Sequence, residues 1–359
     1  MLKGTIKMKI AGKELEKRAE EALKTCLSKI PFLRIEKIKK EADENGRRPD
    51  LLITLRLPDG KMDLIVELKT SGQPRLARDA VNQLLLYRDK FPGAYGILVA
   101  PYISLRSAEI CANSNIGYVD LAGNCRLSFG QVHIEKDGKP NPFAQKRDLR
   151  SLYSPKAERI LRVLLNNPKK AWKTAELARE ASVSFGQVSN VKKLLNDREW
   201  IRTKTVGFLL VEPKELLNEW TENYSFRRNR IEDYYSLKSV AEIEADLAEA
   251  FNSKRLVYAL TGFSGAARLA PVVRYQRVFA YVEGREEDLS AFLDLKRVTS
   301  GANLSLLYPY DDGVFYGARA LEGIKIASPV QIYLDVSGFR GRGEEAAYHL
   351  LKQVIEPQW

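Results

Sequence analysis

The stretch that decides the first fold runs from Arg47 to Lys69, R-R-P-D-L-L-I-T-L-R-L-P-D-G-K-M-D-L-I-V-E-L-K. Two strand-like apolar runs flank Asp59-Gly60, a dipeptide that favours a tight hairpin turn. With Asp59-Gly60 at the turn, Lys69 is expected opposite Asp50, and Leu52 opposite Glu67. Side chains alternate along a strand, so Glu67 and Lys69 share one face. Cross-strand partners share a face as well, which brings Asp50 to the same side. Two carboxylates and an ammonium are therefore expected to converge at the end of the hairpin far from the turn.

Two carboxylates on neighbouring strands form a hard oxygen site suited to Mg²⁺ or Mn²⁺. Such a metal polarises a phosphodiester and activates water, and Lys69 would neutralise developing charge on phosphorus. Pro49-Asp50 followed by Glu67-Leu68-Lys69 on the next strand resembles the PD-(D/E)xK nuclease superfamily. The resemblance implies a restriction-endonuclease-like α/β domain, with Asp50 and Glu67 as metal ligands and Lys69 as catalytic lysine. It also implies an acid on an upstream helix, Glu16 or Glu20, and a glutamine on the following helix, for which Gln83 in N-Q-L-L-L-Y fits. The same trio also fits a solvated strand face, with Asp50 and Lys69 a surface pair worth at most ~1 kcal/mol.

Outward from the hairpin, the pattern predicts a helix over Gly12 to Ile30 and an edge strand over Ile35 to Lys40. Pro74 suits the first turn of a helix that ends before Phe91-Pro92-Gly93. Tyr95 to Ala100 reads as a buried strand and Ser104 to Ala112 as a short helix. Strands at Gly117 to Leu121 and Cys125 to Phe129 flank a turn at Ala122-Gly123-Asn124, and Lys136 to Pro142 reads as a linker. The first domain is thus expected over residues 1–142.

Residues 151–220 carry a second pattern. Helices are expected over Pro155 to Leu165, from Thr174 as cap to Ala181, and over Phe185 to Leu195, then a two-stranded wing over Ile201 to Val211 with Gly207 near its turn. Helix, helix, helix and wing make a winged helix-turn-helix. Val188, Val191, Leu194 and Leu195 face inward, leaving Ser184, Gln187, Asn190, Lys192 and Lys193 for DNA, with Arg202 and Lys204 in the wing. Amides and hydroxyls read base edges, and cations meet phosphates. Winged helices also serve as dimerisation or protein-contact modules.

Residues 221–236 read as a bridge, where Arg227, Arg228 and Arg230 stand beside Tyr224, Tyr234 and Tyr235 as a backbone clamp or a plain linker. Residues 237–359 read as α/β: a helix from Val240 to Phe251, a strand from Leu256 to Leu260, a glycine-containing turn and a strand from Val278 to Val282. The turn Thr261-Gly262-Phe263-Ser264-Gly265 matches neither phosphate-binding fingerprint, and tight helix–strand packing explains its glycines. The first acid on the following strand is Glu283, so this region is expected to bind or scaffold.

Composition bounds the partners. The chain of 359 residues carries a net charge of +12. Residues 1–150 hold 28 Lys and Arg against 19 Asp and Glu, residues 151–220 hold 13 against 8, and residues 237–359 hold 14 against 16. The first two segments suit a polyanion; the third does not. Cys26, Cys111 and Cys125 have no C-x-x-C spacing and read as inert core in a reducing compartment. His133 and His349 are too few for a histidine metal site. No apolar run spans a membrane and the start lacks a signal-peptide pattern, so a cytoplasmic protein is expected.

Three further stretches are Glu67 to Arg75 (E-L-K-T-S-G-Q-P-R), Ile116 to Asn124 (I-G-Y-V-D-L-A-G-N), and Leu260 to Ala267 (L-T-G-F-S-G-A-A) with Ser328-Pro329 downstream. With the three-part order, they resemble the AbiEi family of regulators and antitoxins in type IV toxin–antitoxin systems. The resemblance implies promoter binding by the winged helix, a cognate toxin as partner, and a C-terminal region of nucleotidyltransferase-like shape without its chemistry. Two functions compete: a winged-helix regulator with a nuclease-like core, and a Mg-dependent DNA endonuclease targeted by the winged helix. An RNA-processing role is a third reading. A homodimer follows from the habit of winged helices to read two-fold sites.

Overall fold

The structure is a computed structural model that describes residues 12–40, 49–143, 152–254, 256–283 and 295–359. The first ten residues, Arg47 and Arg48 of the sequence reading lie outside these. The chain divides into two compact units, residues 1–146 with 196–199, and residues 147–195 with 200–359. Among the described residues, no helix is long and apolar enough to cross a membrane.

In the first unit, helix α1 (Lys13–Leu27) buries Leu15, Ala19, Leu23, Cys26 and Leu27, the spacing of one helical face. Strands β1 (Arg34–Lys40), β2 (Leu51–Leu57) and β3 (Gly60–Leu68) follow, then α2 (Pro74–Arg88), β4 (Tyr95–Ala100), α3 (Leu105–Asn113), β5 (Gly117–Asp120), β6 (Cys125–Phe129) and β7 (Val132–Lys136). The seven strands lie side by side in chain order. β3, β4 and β5 are parallel; the flanking pairs are antiparallel. α1 packs on one face with Leu51, Ile53, Leu64, Val66, Ile97 and Val99. α2 and α3 cover Ile65, Leu98 and Tyr118 on the other. β7 was not anticipated, because Val132 and Ile134 alone carry its alternation.

The hairpin register differs from the expected one. Leu57 pairs with Gly60 and Leu51 with Val66, so Pro58-Asp59 make the turn. The expected register would put Pro58 in the ladder, where it has no N–H to offer. The shift is two residues, so the faces are preserved while the partners change. One step past Leu51, Asp50 lies opposite Glu67 rather than Lys69.

The cysteines are buried and free. Cys26 Sγ donates to Cys125 Sγ at 3.2 Å, joining α1 to β6. Cys26 is held up by this contact and by burial, whereas Cys125, which accepts, is brought down to about 7.

The second unit begins with helices α4 (Pro155–Asn166), α5 (Thr174–Glu180) and α6 (Phe185–Asp197) and the hairpin β8 (Ile201–Thr203) and β9 (Phe208–Leu210). Lys173, not Thr174, occupies the cap position of α5. Trp172 and Phe208 exchange backbone hydrogen bonds of 2.8 and 2.9 Å, adding a third extended segment to the hairpin. Gly207 sits at φ 86°, and a Cβ there would meet Trp172 O at 2.2 Å, so both conformation and space require glycine. Helix α7 (Pro213–Asn223) buries Leu216, Leu217 and Trp220.

Residues 221–236, read as a bridge, contribute strand β10 (Arg230–Tyr235). The sheet order is β13 (Lys296–Arg297), β10, β14 (Leu304–Tyr308), β12 (Val278–Val282), β11 (Tyr258–Thr261), β16 (Ile324–Ile326) and β15 (Arg319–Leu321). Helices α8 (Val240–Ser253), α9 (Gly262–Leu269), α10 (Pro329–Ser337) and α11 (Arg342–Leu350) lie in the same unit. Ser328 caps α10 by accepting from Gln331 N, and Pro329 opens its first turn.

Candidate functional site

The hairpin brings Asp50, Glu67 and Lys69 together. Asp50 Oδ2 accepts the Leu68 N–H at 2.6 Å, which fixes the carboxyl at the end of β3. Lys69 Nζ donates to Glu67 Oε1 at 2.8 Å. The chain beyond Lys69 is held closely: Lys69 N–H donates to Val99 O at 2.9 Å, and Ser107 Oγ donates to Gly72 O at 2.7 Å. A Cβ on Gly72 would lie 2.1 Å from Tyr102 O, so this glycine serves close backbone approach. Of the two upstream acids, Glu16 is the one whose charge reaches Asp50. Glu20 is taken by Lys24 at 2.6 Å and Lys40 at 3.4 Å. Gln83 is half-buried on α2, without a hydrogen bond to the trio among the described residues.

Burial raises the Asp50 carboxyl, against the Leu68 hydrogen bond and the Lys69 charge. Burial also raises Glu67, and the neighbouring Asp50 charge adds to it against Lys69. A divalent cation would hold both carboxylates ionised, so the donor chemistry fits a hard metal. Among the described residues, no group of three or more His, Cys, Asp or Glu could hold one, so water or phosphate oxygens would complete its shell.

A pH prediction follows from the direction of these shifts. Carboxyls raised in the folded state bind protons more tightly there than in the unfolded chain. Their ionisation penalty is absent below the ordinary carboxylate range. It builds as pH rises above the ordinary carboxylate range and is full once pH exceeds the raised values. Asp50→Asn or Glu67→Gln should raise the melting temperature at about pH 7 in chelator and change it little near about pH 3. A lower melting temperature at neutral pH would show that the contacts to Leu68 and Lys69 outweigh burial.

The D-L-A-G-N turn is structural. Asp120 is 1% exposed. Its Oδ1 accepts the N–H groups of Ala122, Gly123 and Asn124 at 3.0, 2.8 and 2.8 Å. Its Oδ2 accepts Ile103 N–H at 3.2 Å and Asn124 Nδ2 at 2.7 Å. Asn124 in turn exchanges hydrogen bonds with the Lys139 backbone.

On α6, Val188, Val191, Leu194 and Leu195 are buried as expected. The outward row is Gly186, Ser189, Asn190 and Lys193, all exposed at helical spacing. Ser189 was missed by sequence reasoning, although its position three residues past Gly186 and four before Lys193 marks the face. Ser184 is exposed and its Oγ accepts Gln187 N–H at 3.2 Å, so it caps the helix; Gln187 is half-buried. Lys192 turns inward, half-buried, with its ammonium 5.1 Å from the Phe208 ring centre. Arg202 and Lys204 are exposed on and after β8. Lys156 and Arg179 line an open groove with Ser184 and Gln187 at the start of α6.

The arginines of residues 221–236 are mostly spent inside the unit. Arg228 pairs with Glu158 at 2.8 Å and lies 4.0 Å from the Tyr310 ring centre. Arg230 pairs with Glu232 at 3.1 Å and covers Tyr308. Arg227 is exposed. The glycine turn is also explained by packing: a Cβ on Gly265 would lie 2.9 Å from Ile332 Cδ1. Ser264 Oγ accepts Phe279 N–H at 2.8 Å and donates within the turn, and all of β12 is apolar and buried.

No curated protein matches the sequence. A solved structure described as EndoMS in apo form matches at 14% identity, covering 28% of this chain and 45% of that chain, with a TM-score of 0.21; so low a likeness carries no argument. Residues 209–356, from the end of the β8–β9 hairpin through the C-terminal sheet, match the family model described as a transcriptional regulator, AbiEi antitoxin, of type IV toxin–antitoxin systems.

Proposed function

We propose that this chain is a DNA-binding regulator of the AbiEi antitoxin type, and that α4, α5, α6 and the β8–β9 hairpin form its winged helix-turn-helix. The observation that carries this reading is the outward row Gly186, Ser189, Asn190 and Lys193 on α6, next to a region matched by the AbiEi family model. Gly186 lets the helix backbone approach, Ser189 and Asn190 offer groups for base edges, and Lys193 meets phosphate. Double-stranded DNA, a second copy of the chain and a cognate toxin are its expected partners, in the cytoplasm. Gel shifts on the gene's own promoter test it. Asn190→Ala should weaken operator binding about 10- to 100-fold, the effect of losing one good base contact. Lys193→Ala should weaken all duplexes alike and lower the salt slope by about 1. Operator binding unchanged in both variants would sink the assignment.

A second reading is favoured by the juxtaposition of Asp50, Glu67 and Lys69: a metal-dependent DNA endonuclease with a restriction-endonuclease-like core. Bound Mg²⁺ or Mn²⁺ would supply Lewis acidity and activated water. Asp50 and Glu67 would hold it, and Lys69, oriented by Glu67, would face charge developing on phosphorus. Gln83 would act only if substrate draws it toward the trio. Supercoiled plasmid with Mg²⁺ or Mn²⁺ should be nicked by wild type, not in EDTA, and about 100-fold more slowly by Lys69→Ala. Equal nicking by the two proteins would assign the activity elsewhere.

A further inference from the structure

We propose that the open part of the first sheet is a second DNA surface, on which Arg34, Lys37 and Lys39 of β1 hold the phosphate backbone of duplex DNA beside Asp50 and Glu67. The proposal deepens the endonuclease reading and rests on it, because it names how the substrate is held.

The register carries the argument. Arg34 pairs with Arg56, Lys37 with Thr54, and Lys39 with Leu52. Those three β2 residues pair with Lys61, Asp63 and Ile65 of β3. Cross-strand partners share a face, so Arg34, Lys37, Lys39, Arg56 and Lys61 stand on the face of Asp50, Glu67 and Lys69. A bulge at Glu36 creates this arrangement. Ile35 lies opposite Leu55, on the α1 side, and unbroken alternation would send Lys37 there too. The extra residue turns Lys37 and Lys39 to the carboxylate face and returns Ile38 to the α1 core.

This part of the face lies beyond the core beneath α2 and α3, which reaches Leu52 and Ile65. Arg34, Lys37, Lys39, Arg56 and Lys61 are exposed. Arg56 and Lys61 share Glu36 at 3.1 and 2.6 Å. Lys40, on the opposite face, pairs with Glu20. Arg34, Lys37 and Lys39 have no acidic partner among the described residues. From strand geometry, Lys39 and Asp50 are about 8 Å apart along the sheet. Charged edge strands also discourage edge-to-edge pairing. That role explains charge on β1, but not a bulge that turns its unpaired cations toward two carboxylates.

The test uses the full-length chain, with Lys37→Glu/Lys39→Glu and Lys37→Ala/Lys39→Ala variants. Each is titrated by fluorescence anisotropy against a labelled duplex that lacks the operator, over a salt series. The expected result is weaker binding by both, with the salt slope reduced by about 2. The alanine pair decides if the glutamate pair does not fold. Unchanged affinity and slope overturn the surface, and if Lys69→Ala still abolishes nicking the endonuclease reading survives. Lost binding with no nicking by wild type supports the surface and removes the endonuclease reading. Wild type that binds no duplex, or variants impaired only toward RNA or an acidic protein, overturn the DNA assignment.

Discussion

Asp120→Ala is expected to cost the first unit about 4 kcal/mol, read as a shift of its urea midpoint. The carboxylate accepts five hydrogen bonds at the end of β5 and is almost wholly buried. Alanine leaves Ile103, Ala122, Gly123 and Asn124 donors facing a void, and each stranded buried donor costs about 1–3 kcal/mol. Local relaxation and water entry keep the total below the sum of these. Asp120→Asn should fall between alanine and wild type. Its single carbonyl can still serve the turn, while its amide nitrogen meets the Ile103 and Asn124 donors. A cost under about 1 kcal/mol for Asp120→Ala would mean that the turn is held by other contacts.

Glu158→Ala is expected to cost the second unit about 3–5 kcal/mol, the usual penalty for stranding a buried charge. Glu158 and Arg162, one turn apart on α4, are both fully buried. Glu158 accepts from Arg228 at 2.8 Å and from the Tyr310 hydroxyl, and stands 3.7 Å from Arg162 Nη1. Arg162 Nε donates to Gln331 Oε1 at 2.8 Å, but its two terminal nitrogens make no hydrogen bond among the described residues. Gln331 continues the network to Asp335, which also accepts from Tyr224, Tyr281 and Thr261. Removing Glu158 takes away the anion that offsets Arg162. Glu158→Leu/Arg162→Met should therefore be closer to wild type than Glu158→Ala. Chemical denaturation separates the cases, and a double variant worse than the single would refute this account.

These two residues bear on function through the elements they hold. Glu158 and Arg162 tie the first helix of the helix–helix–helix–hairpin segment to Gln331 of α10 and to Arg228 and Tyr310 beside the ends of β10 and β14. Any DNA contact made by α6 is thus mounted on the region that the AbiEi family model matches. Asp120 closes the C-terminal end of β5, two strands from β3 where Glu67 and Lys69 stand. Neither residue is a candidate for chemistry. The D-L-A-G-N turn is here structural, whereas Asp50, Glu67 and Lys69 belong to a short and common string.

Much of the secondary structure was legible. Tyr95–Ala100 and Val278–Val282 are strands at the expected bounds, because unbroken apolar runs of that length are buried strands. Helices α1, α2, α4, α6 and α8 stand where apolar spacing put them. β7, α7, β10, β13 to β16, α10 and α11 were not read: the strands are short, and burial of Trp220 or Tyr234 depends on partners distant in sequence. The bulge at Glu36 was also hidden, since Ile35 and Ile38 at spacing three fit no simple strand pattern.

The candidate sites divide along the same line. Alternation by itself determined that Asp50, Glu67 and Lys69 share a face, because side-chain parity survives a two-residue slip. Helical periodicity likewise determined which residues of α6 face inward. Only the tertiary structure decided that Asp50 stands opposite Glu67, that Glu20 is committed to Lys24 and Lys40, that Lys192 packs on Phe208, and that Arg228 is committed to Glu158. The physical reason is reach. Periodicity is a property of the local backbone, while register, charge pairing and burial depend on what the rest of the chain brings to each side chain.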